Sequence, residues 1–180
     1  CSDSSSRSSS AKLEQADADL LVLPELFASG YQFVSREEAQ RLAEPVPDGP
    51  TVRRLIDIAK RRKMHLVAGL PERSGSACYN SAVVVGPSGF LGCYRKTHLF
   101  YEETQFFTPG DSGFLVWDIG VAKIGLMICF DWYYPEAART STAANLSLVF
   151  LATRVLHPIL YLANLDIARS SVFLVGLVCG

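Results

Sequence analysis

The chain has 180 residues, 49% of them hydrophobic and 19% charged, which is enough to bury the core of one compact domain. Seventeen Lys and Arg against eighteen Asp and Glu leave a formal net charge of −1, so the basic footprint of a nucleic-acid binder or of a protein held on an anionic membrane is excluded and a small-molecule partner is favoured. Five cysteines (Cys1, Cys78, Cys93, Cys129, Cys179) form no C-x-x-C pair and the three histidines are scattered, so no metal, cofactor or disulfide scaffold is expected and a reducing, cytoplasmic setting fits.

Residues 1–11 open with CSDSSSRSSS, a polar low-complexity stretch without the apolar segment of a secretory signal, and read as a disordered leader before a domain spanning 12–180. Asp19 to Leu23 is an apolar run of buried-strand length. Asp48-Gly49-Pro50 then opens a helix, with Pro in its first turn. Val52, Leu55, Ile56 and Ala59 fall at i, i+3, i+4 and i+7 and form its apolar stripe, which leaves Arg53, Arg54, Lys60, Arg61 and Arg62 as a solvated face. Leu66 to Leu70 is the next strand. Ser81 to Val85 and Phe90 to Tyr94 follow as a hairpin joined through Gly86-Pro87-Ser88-Gly89. Leu115 to Ile119 and Ala122 to Ile128 form another strand pair, and a helix starts near Pro135. From Leu146 to Leu165 the chain is strongly apolar, but Arg154, His157 and Pro158 in its middle argue for a buried strand and a helix rather than a membrane span. The run Val172 to Val175 just before Gly180 reads as a strand that a fold would continue past, so the chain is expected to be a fragment.

Three polar residues stand where strand-like runs stop: Glu25 after Leu20 to Pro24, Lys96 after Phe90 to Arg95, and Cys129 after Ile124 to Ile128. Taken singly each has an ordinary explanation, as a turn carboxylate, a solvated lysine and a small buried hydrophobe. Gathered at one sheet end, a base, a cation and a thiol make a covalent site for cleaving amides or nitriles.

The stretches LLVLPELFASGY, EPVPDGP, HLVAGLPE, YNSAVVVGPSG, YRKTHLF, FFTPGD and GLMICFDWYYPEAAR, in this order over roughly residues 17 to 140, resemble the nitrilase, or carbon-nitrogen hydrolase, superfamily. The resemblance implies a four-layer α-β-β-α sandwich, here incomplete, and self-association into a homo-oligomer. It also implies Glu25 as general base, Lys96 as oxyanion stabiliser and Cys129 as nucleophile. The backbone N–H of Phe130 is a natural second oxyanion donor. Glu103 matches a second family glutamate that positions substrate, although a solvated loop carboxylate is the competing reading there. Asp131, Trp132 and Tyr133 are expected to shape the pocket, whereas Tyr31 and Phe27 read equally well as packing. Arg95 and His98 are taken as structural. The segments Leu151-Ala152-Thr153-Arg154 and Ile167 to Ser171 depart from the family's usual pocket residues. The activity implied is hydrolysis of a small amide or N-carbamoyl amine through a thioester. Nitrile hydrolysis through a thioimidate, or an inactive truncated member serving as an interaction subunit, remain the alternatives.

Overall fold

A computed structural model describes residues 18–142 and 147–151. The expected leader, the altered segments beyond Leu151 and the run Val172 to Val175 lie outside the described residues.

The first sheet holds four strands in the order β1-β2-β3-β4: Leu20–Val22, His65–Ser74, Ala77–Gly86 and Gly89–Arg95. β1 pairs parallel to β2, with Leu20 opposite His65; β2 and β3 form a long antiparallel ladder from Leu66 opposite Val85 to Ser74 opposite Ala77; β3 and β4 continue it as the expected hairpin. The second sheet, in the order β5-β6-β7, comprises Val116–Asp118, Lys123–Ile128 and Ser147–Leu151, the first pair antiparallel and the second parallel.

Strands buried on both faces carry apolar residues without alternation, and the two faces then separate by parity. Leu66, Ala68 and Leu70 join Val83 and Val85 on one face of the first sheet, where they meet the helix α2 (Pro50–Arg62); α1 is Arg36–Leu42. Val67, Ala82, Val84 and Tyr94 point to the other face and pack on Ile124, Leu126 and Ile128 of the second sheet. Each such fully buried aliphatic side chain contributes about 1.5–3 kcal/mol, so the inter-sheet layer is a major source of stability. Two short helical pieces, α3 (Glu103–Phe106) and a 3-10 turn (Cys129–Tyr133), precede α4 (Pro135–Thr142), which lies against β7. These layers form an incomplete α-β-β-α sandwich.

In α2 the buried stripe is Val52, Leu55, Ile58 and Ala59, with Ile56 only partly buried at its edge. Ile58 replaces Ile56 because the sheet contact follows the i, i+3, i+6 side of the helix rather than the i+4 side. Arg53, Arg54, Lys60, Arg61 and Arg62 are exposed as expected. Among the described residues no helix is long and apolar enough to cross a membrane.

Candidate active site

After β1 the chain stays on β2 for one more residue, Leu23 N–H donating to Val67 O at 2.7 Å, and then turns across the strand. The crossing happens over Gly69. A Cβ there would lie 2.5 Å from Leu26 N and 2.7 Å from Glu25 Cα, distances no side chain tolerates, so the absence of one lets the turn sit flat on β2 and sets where Glu25 starts. Leu26 follows at φ +50°, a left-handed conformation costly for a branched residue and held by its burial against Phe33, Cys78 and Phe107.

Lys96 lies one residue past β4, on the same parity as Tyr94, and so faces the inter-sheet side. Its backbone is pinned from both sides, Lys96 N–H donating to Asn80 O and Gly110 N–H to Lys96 O, each at 2.8 Å. Gly110 again allows a close approach, since a Cβ would sit 2.1 Å from Arg95 O.

The side chains of Glu25, Lys96, Glu103 and Asn80 converge in one buried cluster. Lys96 is 1% exposed and the two glutamates 4% each. Lys96 Nζ donates to Glu25 Oε1 at 2.8 Å and to both Glu103 oxygens, at 3.0 and 2.7 Å. Asn80 Nδ2 donates to Glu25 Oε1 at 2.7 Å and to Glu103 Oε1 at 3.2 Å. Glu103 also accepts from the Tyr31 hydroxyl and from Phe100 N–H, both at 2.7 Å. Glu103 is thus a buried ligand of Lys96 rather than a solvated loop carboxylate, and the neighbouring Glu102 is exposed. Two buried carboxylates flank one ammonium, an arrangement that survives burial only because so many donors converge on it.

Burial pushes the Glu25 carboxyl above its ordinary range; the nearby Lys96 charge pulls it back in part, while Glu103 adds to the rise. For Lys96, burial opposes the charge, but Glu25, Glu103 and Cys129 together outweigh it and hold the ammonium above its usual pKa.

Cys129 follows directly after β6 at φ +45° and opens the 3-10 turn. That tight turn is fastened by Asp131, a fully buried carboxylate. Asp131 Oδ2 accepts from Ile128 N–H at 3.0 Å and from the Tyr94 hydroxyl at 2.8 Å; Oδ1 accepts from His98 N–H at 2.9 Å and lies 2.9 Å from His98 Nδ1. His98 in turn stacks on Tyr134 at 3.8 Å, so its ring is packed against the turn. The Cys129 thiol is half-buried and its pKa is pushed up to about 11, by burial first and then by Glu25, against the opposing pulls of Lys96 and the Phe130 backbone N–H. A neutral thiol therefore stands within the electrostatic reach of a carboxylate with raised proton affinity and of an ammonium.

Trp132 and Tyr133 are 52% and 65% exposed. Tyr133 stacks on Phe130 at 5.5 Å, and Phe130 meets Phe100 edge-on at 5.0 Å, which forms an aromatic rim beside Cys129 rather than a deep wall. Arg95 points to the opposite face of the first sheet, where it pairs with Glu72 and with Asp111 (2.9 Å) and lies 4.0 Å over the Tyr79 ring. Burial raises the Cys78 thiol to about 11 and the Cys93 thiol to about 12, and Cys93 sits in that same opposite-face network, 3.6 Å from Glu72. Among the described residues no group of three His, Cys, Asp or Glu is placed to hold a metal ion. Asn80 is the cluster member that sequence reasoning missed, while Tyr31, which read equally well as packing, joins the cluster through its hydroxyl. A polar residue amid the apolar run of β3 was the available signal for Asn80.

The family model described as carbon-nitrogen hydrolase matches residues 6–159. A nitrilase from Pyrococcus abyssi is 56% identical over 123 residues, which is 68% of this chain and 47% of the relative; an N-carbamoylputrescine amidase from Solanum lycopersicum is 36% identical over 148 residues, 78% and 49% respectively. Among solved structures, a mutant of the amidase from Nesterenkonia sp. AN1, showing the result of Michael addition of acrylamide at its active site cysteine, matches with a TM-score of 0.63 and 27% identity over 81% of this chain and 57% of that one. The chain spans about half the length of the curated relatives it matches. With the motifs in register, the sandwich assembled and the family model matched over most of its length, the chain belongs to the carbon-nitrogen hydrolase family.

Proposed function

We propose that the protein hydrolyses a non-peptide carbon-nitrogen bond of a small amide or N-carbamoyl amine, with Cys129 as nucleophile, Glu25 as general base and acid, and Lys96 as oxyanion stabiliser. The observation that carries this reading is Lys96 Nζ held between the Glu25 and Glu103 carboxylates in the electrostatic neighbourhood of a neutral thiol.

At neutral pH the sulfur keeps its proton, so attack requires a base. Glu25 takes the proton as the Sγ–C bond forms, and the carbonyl electron pair moves to oxygen, where Lys96 and the Phe130 N–H can meet it; such a donor is worth about 3–4 kcal/mol. Glu25 then gives the proton to the departing nitrogen as the C–N bond breaks, which leaves a thioester. Water attacks this thioester and gives a proton to Glu25; the C–S bond then breaks, the acid product leaves, and Glu25 returns the proton to sulfur, so the thiol is restored. Glu103 keeps the ammonium in place, and the aromatic rim at Phe130 and Tyr133 borders the entry. The relative that carries the name nitrilase favours a second reading, attack on a nitrile through a thioimidate with the same three residues.

The test is mass spectrometry of the full chain after incubation with acrylamide and with a panel of small amides, N-carbamoyl amines and nitriles. A covalent adduct on the peptide containing Cys129, formed in preference to those containing Cys78 and Cys93, is expected, and the productive substrate separates amidase from nitrilase. Equal labelling of all three thiols would remove Cys129 as nucleophile. Absence of any adduct or turnover would favour an interaction subunit without activity.

A further inference from the structure

Asn80 lies on β3 between the residues that build the inter-sheet core, and it is 1% exposed. Its amide nitrogen reaches two of the three oxygens that Lys96 Nζ reaches: Glu25 Oε1, at 2.7 Å from Asn80 and 2.8 Å from Lys96, and Glu103 Oε1, at 3.2 and 3.0 Å. Two acceptor oxygens and two nitrogen donors thus close a four-membered ring of hydrogen bonds. The other end of the amide has no such company, since Asn80 Oδ1 is buried with no hydrogen-bond partner among the described residues. A buried orphan carbonyl carries a desolvation penalty that an apolar side chain would avoid. Packing alone therefore does not account for an amide here; its NH2 group on the two carboxylates does.

We propose that Asn80 is a positioning residue which, by bridging Glu25 and Glu103 with one NH2 group, holds Glu25 in its ionised form and at fixed distance from Lys96, ready to accept the thiol proton. The inference rests on the reading of Glu25 as base and Cys129 as nucleophile. Around Glu25 stand the charged and titratable groups Lys96, Glu103, Tyr31 and Cys129. Burial first and then Glu103 disfavour the negative charge on Glu25, and Lys96 and Asn80 act against them. Lys96 is shared between both carboxylates, so the neutral donor is the part of the support that can be removed without changing the charge of the site. Loss of a hydrogen bond to the ionised form raises proton affinity. A general base works only when ionised, so the acid limb of the pH profile moves to higher pH.

The experiment follows acrylamide addition to Cys129 by mass spectrometry from pH 5 to 10 in the full chain and in Asn80→Ala and Asn80→Ser, with thermal unfolding recorded for each. Asn80→Ala is expected to move the acid limb upward by about one pH unit, which slows addition by about tenfold at pH values on that limb. Asn80→Ser restores one short donor and is expected to give a smaller shift in the same direction, which keeps the test alive should the alanine variant fail to fold. Where a substrate is in hand, the loss is expected in kcat with KM little changed. An acid limb that stays in place in both variants, with or without a lowered Tm, would overturn the inference while leaving the catalytic reading intact. An unaltered chain in which Cys129 is no more reactive than Cys78 would overturn the catalytic reading and this inference together.

Discussion

Three thiols in the described residues share one chemistry and differ in surroundings. Burial raises all of them, to about 11 for Cys78 and Cys129 and about 12 for Cys93, so acidity alone does not mark the nucleophile. What sets Cys129 apart is a left-handed backbone at the end of β6, an adjacent backbone N–H and the nearby Glu25 and Lys96; Cys93 faces the Glu72 carboxylate, which discourages a thiolate. Cys129→Ala is therefore expected to abolish adduct formation and turnover, and Cys129→Ser to lose at least about 10³-fold, because a hydroxyl is far less acidic than a thiol. Cys78→Ala and Cys93→Ala are expected to keep the chemistry and to lose only packing energy, about 1–2 kcal/mol. Steady-state rates and denaturation midpoints for the four variants check this, and a Cys129→Ala protein that retained parental rates would exclude covalent catalysis by that residue.

At the scale of elements, what the sequence revealed follows from how each element earns its stability. β2 and β3 bury both faces, so their apolar runs stand out, and the turn residues between Gly86 and Gly89 mark the hairpin unambiguously. Helix α2 is amphipathic and opens on a proline, and it too was legible, apart from Ile58 taking the place of Ile56. Helix α1 went unforeseen because it buries only Ala39 and has no stripe to read. Its signal was the cap instead: Ser35 accepts from Glu38 N–H at 3.2 Å, and Glu38 reaches back to Val34 N–H at 2.7 Å. Glu25, Lys96 and Cys129 stood out as candidates because each follows a strand, whereas Asn80 was hidden inside one and Tyr31, in a loop with no periodicity, read equally well as packing. The crossing at Gly69 was equally invisible, since it depends on two segments about 45 residues apart meeting within van der Waals distance. Gly69→Ala is expected to destabilise the protein by about 1–3 kcal/mol, because the new methyl meets backbone rather than a movable side chain. It should also slow Cys129 alkylation by displacing Glu25. A variant with parental reactivity and parental Tm would show that the turn carrying Glu25 shifts freely.

For the molecule as a whole, the buried thiols and phenols together with Lys96 and Glu25 tilt stability in one direction with pH. Burial holds Cys78, Cys93 and Cys129 above the ordinary thiol value of 9.0. The phenols of Tyr31 and Tyr94 are raised as well, by burial first and then by the Glu103 and Asp131 carboxylates respectively. In the unfolded chain these groups lose their protons near their ordinary values; in the folded chain they keep them to higher pH. Between those limits the native state binds more protons than the unfolded state, so stability falls as pH rises. Lys96 adds to this: burial weighs against its charge, yet Glu25 and Glu103 raise its pKa above 10.5, so its contribution is complete below 10.5 and is lost as pH climbs through the folded value. Glu25, raised above 4.5 by burial, gives the same sign at the acid end, with stability declining as pH rises past 4.5 through its folded value. The expected outcome is a urea midpoint that drops steeply between about pH 9 and 11 under reducing conditions, with m nearly constant. Cys93→Ala removes the thiol with the largest displacement and should flatten part of that drop, at the expense of a lower midpoint at pH 7.5. A midpoint unchanged to pH 10.5 would mean that these groups are solvated in the folded protein, and that the inter-sheet cluster around Lys96 is open to water.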